Sequence, residues 1–151
     1  VPIDASRVYG ELYQGSVPPR GPALARAGFD TLVLAAEEHQ PPDYLFPGVL
    51  VIRLPMNDVP VRLEPKELRL VRLTARDVLY QLERGKRVLV TCAMGLNRSG
   101  LISAATLLEG GHASPSEAIR MVRSARGHLA LSNPSFVHAI ATQLRRPRAS
   151  D

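Results

Sequence analysis

The chain has 151 residues, 45% of them apolar and 22% charged, which is the balance of an ordinary globular domain with one core. No apolar run approaches the ~20 residues of a membrane span, and Val1-Pro2-Ile3-Asp4-Ala5-Ser6 has neither the charged leader nor the apolar stretch of a signal peptide. The net charge of +5, carried almost wholly by arginine, suits anionic partners and leaves phosphoprotein, phosphoinositide and nucleic acid all open.

In chain order, Arg7 to Gly15 predicts a short hairpin turning at Gly10-Glu11. Pro18-Pro19-Arg20-Gly21-Pro22 breaks the chain, and Ala23 to Ala27 forms a brief helix ended by Gly28. Thr31 to Ala35 reads as a buried strand, 37–47 as a loop or short helix, and Val49 to Leu54 as the next strand. Pro55 to Pro60 follows as a loop restricted by its two prolines. The clearest helix runs from Glu64 to Arg84, with Pro65 in its first turn and an apolar stripe of Leu68, Val71, Ala75, Val78 and Leu82. Gly85 stops it, and Arg87-Val88-Leu89-Val90 is a buried strand leading to Cys92. Helices follow from Ser99 to Glu109 and after Ser114, where Pro115 and Glu117 complete a capping box around an inner face of Ala118, Met121, Val122 and Ala125. A last helix is capped by Ser132 or Asn133 and packs Phe136, Val137, Ile140 and Leu144 inward, and 145–151 is expected to fray. Strands separated by helices imply an α/β fold, a mostly parallel central sheet flanked by helices on both faces. One domain is expected over residues 1–151.

The stretch Thr91-Cys92-Ala93-Met94-Gly95-Leu96-Asn97-Arg98-Ser99-Gly100 carries the chemistry. Cys92 sits on a strand-to-helix turn at the positive end of a helix dipole. Backbone N–H groups from Ala93 through Arg98 can converge on one dianion there, and Gly95 lets the chain turn. Arg98 adds a planar fork that matches two phosphate oxygens. The same surroundings favour the thiolate of Cys92, and a thiolate under a bound phosphate is a nucleophile aimed at phosphorus. Ser99 can donate its hydroxyl to that sulfur. The bland reading is a buried structural cysteine, which does not require Gly95, Arg98 and Ser99 together. Cys92 is the only cysteine, so no internal disulfide forms. His39, His112, His128 and His138 lack metal-ligand spacing, so zinc is not expected.

Transfer of a phosphoryl group to Cys92 expels an alkoxide or phenoxide that needs a proton. Asp58 follows a strand, as Cys92 does, and both can reach the crevice beyond the strands' carboxyl ends. On sequence alone Asp58 is either that acid or a turn aspartate bonding its own backbone. Asp43, Glu37 and Glu38 are further acids, each with a solvated-loop reading. Arg126 is a second anion contact or a surface or helix-end arginine. Arg69, Arg72 and Arg76 form an anion stripe or a solvated helix face, and His128 acts at the rim or as a surface residue.

Cys92, Arg98 and Ser99 resemble the Cys-x5-Arg-Ser/Thr signature of the cysteine-based protein tyrosine phosphatase superfamily. Val8 to Ser16, Ala118 to Arg126 and Asn133-Pro134-Ser135-Phe136 resemble its dual-specificity branch, as do the compact length and the lack of a tyrosine-recognition loop. The resemblance implies a protein tyrosine phosphatase-like fold and a cytoplasmic enzyme acting on a phosphorylated protein or peptide. It also implies Asp58 as general acid, about thirty residues before the cysteine, and a phosphocysteine intermediate without metal or organic cofactor. One position departs from the pattern: the family places histidine before the cysteine, and this chain has Thr91. Asn97-Arg98 is also similar to the RNA 5′-triphosphatases of the superfamily, so a nucleic-acid substrate is a second reading. A phosphoinositide phosphatase is a third, although Ala93, Met94, Leu96 and Asn97 are not the basic residues that often accompany that activity. A catalytically weak phosphate-binding module is a fourth.

Overall fold

All six residues of β3 (Thr31–Ala36) are buried, which requires cover on both faces of the sheet. The computed structural model describes residues 2–144. Its other strands are β1 (Ser6–Tyr9), β2 (Leu12–Gly15), β4 (Leu50–Met56) and β5 (Val88–Thr91), in the order β1-β2-β5-β3-β4. Only β1 and β2 pair antiparallel; β2 with β5, β5 with β3 and β3 with β4 are parallel.

The period of two along the strands divides the core. Leu32, Leu34 and Leu89 pack with Leu24, Phe29 and Phe46, under α1 (Ala23–Arg26) and a one-turn 3-10 helix at Asp43–Leu45. On the other face Val33, Ala35, Val88 and Val90 meet the main helical layer. That layer holds α2 (Pro65–Glu83), α3 (Arg98–Glu109), α4 (Pro115–Arg126) and α5 (Pro134–His138). Helices thus lie on both faces, unequally. The predicted cap at Ser114 is present, with Glu117 N donating to Ser114 Oγ; α2 has a second one, where Glu64 N donates to Glu67 Oε1. Among the described residues, no helix is long and apolar enough to cross a membrane.

Two boundaries differ from expectation. β4 continues through Pro55 to Met56, where a loop is predicted. It is an edge strand, where a residue without an N–H can be accommodated. The last helix is regular only to His138 and widens into a π turn at Ala139–Gln143, where Arg72 Nη2 donates to the Gln143 carbonyl. The tail expected to fray, 145–151, lies outside the described residues.

β5 is the middle strand, buried at every position and paired on both sides. Its carboxyl end leads directly into Cys92, and the next helix, α3, begins at Arg98.

Candidate active site

Cys92 is 4% exposed at the exit of β5. Its Sγ lies 3.1 Å from Ser99 Oγ and receives the Ser99 N–H at 3.4 Å. Two groups of the first turn of α3 therefore face the sulfur, where they can stabilise negative charge.

The loop between Cys92 and α3 is held from outside. Gly95 has φ +70°, and a Cβ there would stand 2.5 Å from the Gly15 carbonyl carbon, so both conformation and space demand glycine. The Gly95 carbonyl accepts from Gln14 Nε2 at 3.0 Å and Arg126 Nε at 2.9 Å, and the Met94 carbonyl accepts from Arg126 Nη2 at 3.2 Å. Leu96 O accepts from Leu131 N at 3.1 Å. Among the described residues, the amides of Ala93 to Asn97 meet no protein acceptor. A loop whose carbonyls are claimed from outside while its amides stay unpaired suits an anion.

Arg126 ends α4, as the helix-end reading has it, but its side chain is only 9% exposed and is paired within the protein. It braces the loop while pairing with Asp4 at 2.7 and 2.9 Å and with Ser6 Oγ at 3.1 Å. The Arg126 hydrogen bond holds the Asp4 carboxyl down at about 2.

Arg98 is 7% exposed. Its Nη1 and Nη2 donate to Glu38 Oε1 and Oε2 at 2.5 and 2.9 Å, and Nη1 also donates to the Met56 carbonyl at 2.9 Å. Its Nε is buried and, among the described residues, has no partner. Glu38 is thus an exposed loop residue, as the solvated-loop reading has it, but it is paired and not a free acid. It orients the Arg98 fork, whose hydrogen bond holds the Glu38 carboxyl at about 2; the same contact raises Arg98 further.

Asp58 is exposed on the segment after β4. Asn97 Nδ2 donates to its Oδ2 at 3.1 Å and Asn133 Nδ2 to its Oδ1 at 2.7 Å. Because Asn97 belongs to the Cys92–Arg98 loop, these bonds tie Asp58 to that loop. Thr91 turns from the loop and donates its Oγ1 to the Val33 carbonyl at 2.8 Å, tying β5 to β3.

The remaining sequence candidates stand apart. Asp43 pairs with Arg53, and Glu37 is exposed. Arg76 meets Glu109 at 3.3 Å and Arg72 the Gln143 carbonyl, so with exposed Arg69 they form no free anion stripe. His128 is exposed beside Arg120 and Arg123. Sequence reasoning missed the roles of Gln14, Glu38, Asn133 and Asp4. Gln14, a polar residue in a strand ending beside the loop, carried the one legible signal.

The family model for the dual specificity phosphatase catalytic domain matches residues 12–145. The chain belongs to the dual specificity phosphatase family. Human dual specificity phosphatase 28 is 34% identical over 140 residues, which span 90% of this chain and 75% of that protein. The crystal structure of human DUSP28 superposes with a TM-score of 0.73 at 30% identity, covering 93% of this chain and 92% of that one. The human tyrosine phosphatase-like serine/threonine/tyrosine-interacting protein shares the fold, with a TM-score of 0.73 at 21% identity over 92% of this chain and 94% of its own. Family membership supports phosphatase activity.

Proposed function

We propose that this chain acts as one catalytic domain that hydrolyses phosphate monoesters of proteins, on tyrosine and on serine or threonine, through a phosphocysteine intermediate. The observation that carries the reading is one loop between buried Cys92 and Arg98, with Cys92 Sγ 3.1 Å from Ser99 Oγ and Arg98 Nε unpartnered among the described residues.

The substrate phosphate docks on the amides of Ala93, Met94, Gly95, Leu96, Asn97 and Arg98. Arg98 adds its Nε–H and the Nη2 hydrogen that Glu38 leaves free, since Nη2 carries two hydrogens. Cys92 attacks as the thiolate. The S–P bond forms as the P–O bond to the leaving group breaks, and the departing oxygen takes the proton of Asp58. Water then attacks phosphorus and gives a proton back to Asp58. The S–P electrons return to sulfur, which Ser99 stabilises. The loop amides and Arg98 supply the electrostatic stabilisation, so no step requires a cofactor.

The test is a panel of phosphotyrosine and phosphoserine peptides, phosphoinositides and 5′-triphosphate RNA, assayed with a chelator, for the wild type and for Cys92→Ser. Phosphate release from the peptides, lost in Cys92→Ser while phosphopeptide binding persists, is the expected result. Release confined to the lipids or to RNA moves the chain to one of those substrate classes. Binding without release from any substrate makes it a phosphate-binding module.

A further inference from the structure

The segment bearing Asp58 has no regular structure, and Asn57, Asp58, Val59, Pro60, Val61 and Arg62 are all exposed. Such a segment orders a carboxylate only if something outside it holds on. Two asparagine side chains do. Asn133 Nδ2 donates to Asp58 Oδ1 at 2.7 Å and to the Val59 carbonyl at 3.0 Å, and its Oδ1 accepts from Ser135 N at 3.0 Å at the start of α5. Asn97 Nδ2 donates to Asp58 Oδ2 at 3.1 Å and to Ser132 Oγ at 3.3 Å, and its Oδ1 accepts from Asn133 N at 3.0 Å. Neither amide can be flipped without setting an oxygen against the carboxylate and an NH2 against an N–H donor, so the network fixes both orientations.

We infer that Asn133 and Asn97 are the positioning residues that hold Asp58 over the phosphate loop. The inference rests on the reading of Asp58 as the proton donor. A carboxyl group has about four lone-pair sites, two on each oxygen. The two asparagines occupy one site on each oxygen, which fixes the plane of the group. A site on each oxygen stays free, and one of these carries the proton delivered to the leaving oxygen. Proton transfer needs the acid within hydrogen-bond reach of that oxygen, so an acid free to swing loses rate even when correctly protonated. Asn97 ties the acid to the loop that grips phosphate, and Asn133 ties it to α5. The distance between acid and nucleophile is thereby set by side chains from three segments.

Asn133→Ser tests this, because serine keeps an oxygen that can cap α5 but has no amide donor to reach Asp58. Asn97→Ser removes the other donor. Turnover is measured on para-nitrophenyl phosphate, whose leaving group is good, and on phenyl phosphate, whose leaving group is poor. Both variants are also made in the Asp58→Asn background. Each single variant is expected to slow phenyl phosphate about tenfold and para-nitrophenyl phosphate less than about threefold, and to add nothing once Asp58 is gone. Equal slowing of the two substrates, or undiminished slowing in the Asp58→Asn background, overturns the positioning role. If Asp58→Asn itself slows both substrates alike, the acid assignment fails. If Asp58→Asn is selective and the asparagine variants are not, only the positioning inference fails.

Discussion

The Cys92–Arg98 loop and the segment bearing Asp58 are joined through Asn97 yet are built in opposite ways. The loop has buried ends at Cys92 and Arg98 and is braced through its backbone: Arg126 and Gln14 take its carbonyls, Gly15 leaves room for no side chain at Gly95, and Arg98 is clamped by Glu38 and Met56. The acid segment is exposed, and Asp58 itself is held by two side-chain amides. The proposed roles account for the difference. A dianion is bound best by dipoles that do not move when it arrives, which requires a rigid, water-poor cradle. A group that gives up a proton and later recovers one from water must stay in contact with solvent.

If the cradle is the rigid half, its losses should be large and independent of the leaving group. The largest effect is expected from Arg98→Lys, which exchanges a planar fork clamped by Glu38 for a point charge. It should lower kcat/KM about 100-fold, or about 3 kcal/mol, for good and poor leaving groups alike. A loss under tenfold would put Arg98 outside the phosphate site.

Asp58→Asn breaks the other half. It should slow phenyl phosphate by about 100-fold and para-nitrophenyl phosphate much less, since a good leaving group departs without the proton. It should also change the pH profile of turnover on phenyl phosphate. Uniform slowing would make Asp58 a structural residue and erase the contrast.

Arg126→Met sharpens the comparison from the cradle side. It keeps much of the apolar stem but removes the donors to Gly95 and Met94. Inhibition by inorganic phosphate should weaken about tenfold, the scale of one or two lost hydrogen bonds. Unchanged inhibition would show that the loop holds its shape without this brace.

The smallest effect concerns pH. Asp4 and Glu38 are both held at about 2 by their arginines, below ordinary values of 3.8 and 4.5. A depressed carboxyl contributes stability above its unfolded value and loses it as pH falls through the folded one. Urea midpoints should therefore fall from about pH 5 towards about pH 2, and less steeply in Asp4→Asn. An identical slope in that variant would show that the Asp4–Arg126 pair adds no stability.

Much of the fold was legible in the sequence. The strands at 31–35 and 87–90 and the long helix of 64–84 were marked by apolar periodicity and by Pro65 and Gly85. β4 was read two residues short because Pro55 looks like a strand breaker, and edge position, which decides otherwise, is a property of the sheet. In the site, Cys92, Arg98 and Ser99 were legible because they are neighbours in one turn. From sequence Glu38 is one of several loop acids, and Arg126 is a second anion contact or a surface or helix-end arginine.

The sequence by itself determined the local device: a strand ending at Cys92, a glycine-bearing turn and a helix starting at Arg98. These are short-range matters of periodicity, turn chemistry and helix dipole. Tertiary structure alone decided what holds that device. Glu38 reaches Arg98 across a separation of 60 residues and Asp4 reaches Arg126 across 122. Asn133 reaches Asp58 across 75. Pairing at such distances follows from the order β1-β2-β5-β3-β4 and from the helical layer on one face of the sheet. No local pattern encodes which acid meets which arginine; the packed core does, by fixing which strand ends and helix starts become neighbours.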